Sequence, residues 1–341
     1  MSRVKKTASV TVALALAVLA LTACVGPPPP PPTDPHDVLV VGDSISFSFA
    51  CGLGDAAGSG ESCPGPGGFT TASDIVGGCT ISGGTILLYN GNTAGSYGCD
   101  NWGSAWSGDA DKYTPRVVVI VTSGWEIMDR WSGDPNGLPD RQWGGNGQEF
   151  QDAKNAYQAN LGLAINVFRQ HGSKVIVANS AYMNPPEPQF PPGTPGAPDF
   201  LINAWYERYP LTNTAPPPVW QQNAPTNGQP LTYRPSKTKV EQFNNAITSV
   251  VNSFGDSSNV LQFNMFKHFD PTISGSPAYS DYICPPPNDS ADPATCSGTK
   301  ILARDPDGGH LSTPGGQDIL NHYLQPCVEA VLAGSSTTSC Q

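Results

Sequence analysis

Apolar residues in this chain gather into short unbroken runs set apart by polar, glycine-rich stretches. Val38-Leu39-Val40-Val41-Gly42, Arg116 to Thr122, Lys174 to Asn179 and Val260 to Asn264 are four such runs, with a weaker one at Thr85 to Tyr89. Short aliphatic runs without alternation predict strands buried on both faces. Helical spacing occupies the longer segments from Asn146 to His171, Ser236 to Phe254 and Gly315 to Leu332. Strands alternating with helices predict an α/β domain in which helices cover both faces of a parallel sheet.

Two stretches break the alternation. Residues Gly52 to Gly108 are rich in Gly, Ser and Thr and, with Cys51, hold four cysteines, which predicts a loop-rich, disulfide-pinned region. Residues 184–234 are crowded with proline, including Pro216-Pro217-Pro218, and read as an insertion that packs as a rim or moves as a flap. Residues 36–341 are otherwise of a length for one elaborated domain. No internal repeat is evident, and no glycine-rich nucleotide fingerprint follows a strand.

Ahead of this domain, Arg3, Lys5 and Lys6 precede the apolar run Val10 to Leu21, the layout of a secretion signal over residues 1–24. Leu21-Thr22-Ala23-Cys24 resembles the bacterial lipobox, which makes Cys24 the expected lipidation site and new N-terminus. The linker 25–35 contains prolines from Pro27 to Pro32 and extends at about 3.1 Å per residue, holding the domain off the membrane. The expected location is therefore extracytoplasmic, lipid-anchored to the bacterial cell membrane or secreted.

Cysteine usage agrees with an oxidising compartment. Cys51, Cys63, Cys79, Cys99, Cys284, Cys296, Cys327 and Cys340 remain once Cys24 is set aside. They fall in close neighbours, so the expected pairs are Cys51 with Cys63, Cys79 with Cys99, Cys284 with Cys296 and Cys327 with Cys340. Neither Cys-x-x-Cys nor clustered histidine is present, so disulfides rather than zinc are expected, and no metal or cofactor. The formal charge of −11 argues against nucleic acid as a partner and against peripheral binding to anionic lipid.

Two segments carry candidate chemistry. Gly42-Asp43-Ser44-Ile45-Ser46 follows the first apolar run and sets Ser44 at the carboxyl end of a strand, where open α/β sheets bind ligands. Asp305-Pro306-Asp307-Gly308-Gly309-His310 sets a carboxylate three positions before an imidazole in a Gly- and Pro-rich loop. A serine hydroxyl is a weak nucleophile until such a base takes its proton. Asp305 is the alternative orienting carboxylate, and His268 in Lys267-His268-Phe269-Asp270 is the rival base.

On these two segments the chain resembles the GDSL/SGNH hydrolases. The resemblance implies a flavodoxin-like three-layer sandwich with a central parallel sheet. It also implies Ser44 as nucleophile, His310 as general base and acid, and Asp307 as the residue orienting the imidazole. The family's oxyanion donors are the nucleophile's own N–H, a Gly N–H and an Asn side chain. Gly78 is the expected glycine, with Gly77 as competitor. The Asn is missing: the strand Arg116 to Thr122 runs into Ser123-Gly124-Trp125-Glu126, where the Trp125 indole and the Ser123 hydroxyl are the donors on offer. Glu126 is expected to line the pocket floor or to pair with Arg130 one helical turn on.

Trp125, Gly-Cys in the second block and His-Leu-Ser in the last are similar to extracellular SGNH domains attached to membrane acyltransferases that modify surface glycans. The expectation is thus a serine esterase or O-acyltransferase acting on an acylated carbohydrate. The alternative is a non-catalytic glycan-binding or scaffold lipoprotein on the same fold. Trp102, Trp106, Trp125, Trp131 and Trp143 could serve a glycan by stacking or simply pack. The sequence leaves the acyl group, the acceptor and the oligomeric state open.

Overall fold

The computed structural model describes residues 36–54, 69–87, 93–94, 99–122, 124–133, 139–183, 237–280, 282–304, 309–335, 337 and 340–341. The expected signal with its lipobox, the expected linker 25–35 and the expected insertion 184–234 lie outside the described residues, as do Cys63, Ser123, Asp305 and Asp307.

The first eight strands in chain order are β1 Val38–Gly42, β2 Thr71–Ile75, β3 Thr85–Leu87, β4 Thr93–Ala94, β5 Val117–Val121, β6 Arg130–Trp131, β7 Lys174–Ala178 and β8 Val260–Phe263, and short two-residue strands follow them. Five of them form one parallel sheet in the order β2-β1-β5-β7-β8. Counted among themselves they run 2-1-3-4-5, the flavodoxin-like order, whose switch point lies at β1. Every apolar residue of β1 and β5 is 0% exposed, so both sheet faces are covered. This is why these strands read as continuous apolar runs.

The helices fall into two packed groups. α1 (Ser46–Gly52) packs with α6 (Thr313–Ile319), a π turn (Leu320–Leu324) and α7 (Gln325–Ala333). α2 (Trp102–Tyr113), α3 (Gln148–Gln170) and α4 (Lys237–Ser253) pack in succession. α5 (Met265–Phe269) follows β8 and is capped by the Asn264 side chain, which accepts the Lys267 N–H. Among the described residues no helix is long and apolar enough to cross a membrane.

Three expectations need correction. The segment at Thr85 does form a strand, but it pairs antiparallel with β4 and β6 in a separate small sheet. The fifth central strand is instead Thr71–Ile75, inside the stretch expected to be loops. It is an edge strand whose only fully buried residue is Ala72, so its sequence needs no apolar run. The same stretch holds α2, which carries Gly103 and Gly108, poor helix formers by about 1 kcal/mol each. Burial of Trp106 and Ala110, four positions apart, offsets that cost, with Trp106 stacked on Phe168 of α3 at 5.9 Å. Finally, the last predicted helix is one run interrupted by the π turn, just before Pro326, which has no N–H for a carbonyl four residues back.

Disulfides join Cys79 to Cys99, Cys284 to Cys296 and Cys327 to Cys340, as neighbour pairing predicts. Cys51 is also disulfide-bonded, and its expected partner Cys63 lies outside the described residues.

Candidate active site

The turn after β1 is built around Gly42. Its φ of +141° disfavours any side chain, and a Cβ there would fall on the Val121 carbonyl oxygen of β5. That oxygen accepts the Asp43 N–H at 3.2 Å and the Ser46 hydroxyl at 3.4 Å. The buried Asp43 carboxylate accepts the Ile45 N–H at 3.0 Å, closing a local turn that starts α1. Ser44 is thereby held as the one residue of 38–46 that is not buried.

His310 comes from the far end of the chain. Its Nε2 lies 2.7 Å from Ser44 Oγ, and with that nitrogen unprotonated it accepts the hydroxyl proton. The loop carrying it is pinned on both sides. Arg304 bridges Leu311 in antiparallel fashion, and the Ser312 N–H donates to Ala303 O at 2.9 Å. Arg304 is also one half of an ion pair with Asp270 at 3.1 Å, 1% and 0% exposed. Burial pushes the Asp270 carboxyl up to about 7, with the Arg304 charge pulling the other way. The second Asp270 oxygen accepts the Tyr182 N–H at 2.7 Å, fastening the loop to the segment after β7.

Gly78 sits beside the same strand end. Ile75 is the register partner of Gly42, and the Val76 N–H donates to Gly42 O at 3.1 Å. The chain then turns, with Cys79 N–H on Val76 O at 3.0 Å and Gly78 at φ +76°, the third position of a type II turn. Gly78 is buried and Gly77 exposed. Among the described residues neither the Ser44 nor the Gly78 N–H donates to a backbone carbonyl.

On the other side of β1 lies β5, and a loop follows it. Thr122 at its start exchanges a 2.7 Å hydrogen bond with Tyr157, whose phenol burial pushes well above its ordinary pKa. Trp125 is 6% exposed and belongs to the core, as do Trp106, Trp131 and Trp143, so these rings offer a glycan almost no face. Glu126 is buried and makes the expected pair with Arg130, at 3.5 Å. Its carboxylate accepts the N–H groups of Ile81 and Ser82, the latter at 3.2 Å. Beside it Asp129 pairs with Lys239 of α4 at 2.6 Å. Burial raises the Asp129 carboxyl and lowers the Arg130 guanidinium from their ordinary values.

His268, the rival base, is remote in role. Its Nδ1 lies 2.8 Å from Asp289, which also accepts the Tyr323 hydroxyl at 2.8 Å, and its ring is stacked on Tyr323 in the core. The charged cluster Asp129, Arg130 and Lys239 has little signature in the sequence. An i,i+4 rule finds Glu126 with Arg130, but only the strand order brings Glu126 to Ile81.

The sequence matches no protein family and no curated protein. Among solved structures, a "putative acylhydrolase" from Bacteroides fragilis NCTC 9343 aligns over 96% of this chain and 100% of its own, at 11% identity and a TM-score of 0.41. A "GDSL-like lipase" from Bacteroides thetaiotaomicron VPI-5482 aligns over 86% and 87%, at 12% identity and a TM-score of 0.40. The functional reading rests on the site itself.

Proposed function

We propose that this chain is an extracytoplasmic serine esterase or O-acyltransferase of GDSL/SGNH type, tethered by lipid at Cys24 and acting on an O-acyl group of a surface carbohydrate. The observation that carries the reading is the 2.7 Å contact between Ser44 Oγ and His310 Nε2 at the carboxyl end of β1. Ser44 attacks the acyl carbonyl while His310 takes its proton, and His310 then returns that proton to the leaving alkoxide. Asp307 orients the imidazole. The Ser44 and Gly78 N–H groups, with the Trp125 side of the post-β5 loop, receive the developing oxyanion. Water or a sugar hydroxyl, activated by His310, then takes the acyl group from Ser44.

The test is turnover of a chromogenic acetyl ester together with labelling by a fluorophosphonate. Ser44→Ala and His310→Ala should each lower kcat by about 10³-fold or more with the melting temperature retained, Ser44→Ala should abolish labelling, and His310→Ala should slow it sharply. Wild-type activity in either variant refutes the assignment. An unlabelled wild-type protein that binds polysaccharide would support the non-catalytic lipoprotein instead. Incubating acyl donor with candidate acceptor sugars and weighing the products separates hydrolase from transferase.

A further inference from the structure

We infer that Glu126 is a positioning residue for the oxyanion donors, an inference that rests on the esterase reading above. The strand order sets β1, and with it Ser44, between β2 and β5. Glu126 belongs to the loop after β5, yet its carboxylate accepts the Ile81 and Ser82 N–H groups of the loop after β2. The two loops therefore join across the end of the strand that carries the nucleophile, and the joint lies three residues beyond Gly78.

The rest of the joint shows that it is built to be rigid. The Glu126 side chain is 0% exposed, and its own carbonyl accepts the Trp143 indole N–H at 2.8 Å. The guanidinium of Arg130 donates to Trp125 O at 2.6 Å and Gly83 O at 3.3 Å, and Arg141 donates to Ser82 O at 3.1 Å. From the other side the Trp102 indole donates to Ile81 O at 3.2 Å. The segment from Gly78 to Gly83 is thus clamped at its start by Val76 on Gly42 and at its end by Glu126, Arg130 and Arg141. Backbone donors contribute to catalysis only when aimed, and a displacement of about 1 Å can cost about a hundredfold. In this chain the loop that lacks the amide side chain holds the neighbouring loop's amide in place instead.

Two conservative variants separate reach from charge. Glu126→Gln keeps an oxygen at full reach for the two N–H groups and loses the charge opposite Arg130. Glu126→Asp keeps the charge and withdraws the oxygens by one methylene. With a chromogenic acetyl ester, Glu126→Gln should hold kcat within about fivefold of wild type and Glu126→Asp should lose about a hundredfold, both with KM within about threefold. A purely structural ion pair predicts the reverse order, and that order, or equal values for the two variants, overturns the inference. If the wild-type protein turns over no ester, the esterase reading fails and the positioning role with it. If the wild type is active and the order is wrong, the positioning role fails alone.

Discussion

The carbonyl oxygen of Val121 occupies the space where a side chain on Gly42 would begin. This contact joins two adjacent parallel strands at the point where the chain turns to present Ser44. It predicts that Gly42→Ala is costly twice over, because φ at this position is +141° and the intruding methyl meets backbone rather than a flexible side chain. Stability should fall by more than about 1 kcal/mol in urea unfolding. Esterase turnover should fall by about a hundredfold, since the nucleophile moves with the turn. A variant with wild-type turnover would show that the turn tolerates the shift and that Ser44 is not held by it.

The buried pair Arg304 and Asp270 fastens the His310 loop to the core. Removing one partner leaves the other charge buried, so Asp270→Leu or Arg304→Met should each lower unfolding stability by about 3–5 kcal/mol. The combined Asp270→Leu, Arg304→Met protein should lose less than the sum of its single changes, because no lone charge remains. Additive losses in a double-mutant cycle would rule out the coupling.

The Asp109 carboxyl of α2 lies partly buried beside that of Asp74 near the end of β2. Partial burial, and then the hydrogen bond and charge of Asp74, push Asp109 up to about 6 from an ordinary 3.8, with Lys112 opposing. The folded state thus holds a proton that the unfolded state has already released between these values. Stability from this group is therefore greatest below pH 3.8 and falls as pH rises to about 6. Asp109→Asn should raise the melting temperature at pH 8 and leave it unchanged near pH 3.5. An equal shift at both pH values would exclude proton linkage at this pair.

Much of the fold is legible in the sequence because its signal is local. The unbroken aliphatic runs Val38 to Val41 of β1 and Val117 to Val121 of β5 suit a strand buried on both faces, and Gly42-Asp43-Ser44 at the end of β1 fixes where the nucleophile candidate must stand. The neighbour pairing of cysteines is legible for the same reason, since short loops bring their ends together readily. β2 and α2 are not legible. Thr71–Ile75 is an edge strand with one buried residue, and α2 owes its helix to Trp106 packing on α3 rather than to its own glycines and serines.

By itself the sequence determined the parallel α/β class, the candidate serine and histidine at opposite ends of the chain, and the absence of asparagine after β5. Only the tertiary structure decided that Ser44 and His310, 266 positions apart, meet at 2.7 Å, and that Trp106, Trp125, Trp131 and Trp143 belong to the core. It alone also joined Glu126, after β5, to the Ile81 and Ser82 N–H groups after β2. The physical reason is that strand identity depends on side chains within a few residues, whereas strand order depends on how all the faces are buried together. Which loops become neighbours around Ser44 follows from that order.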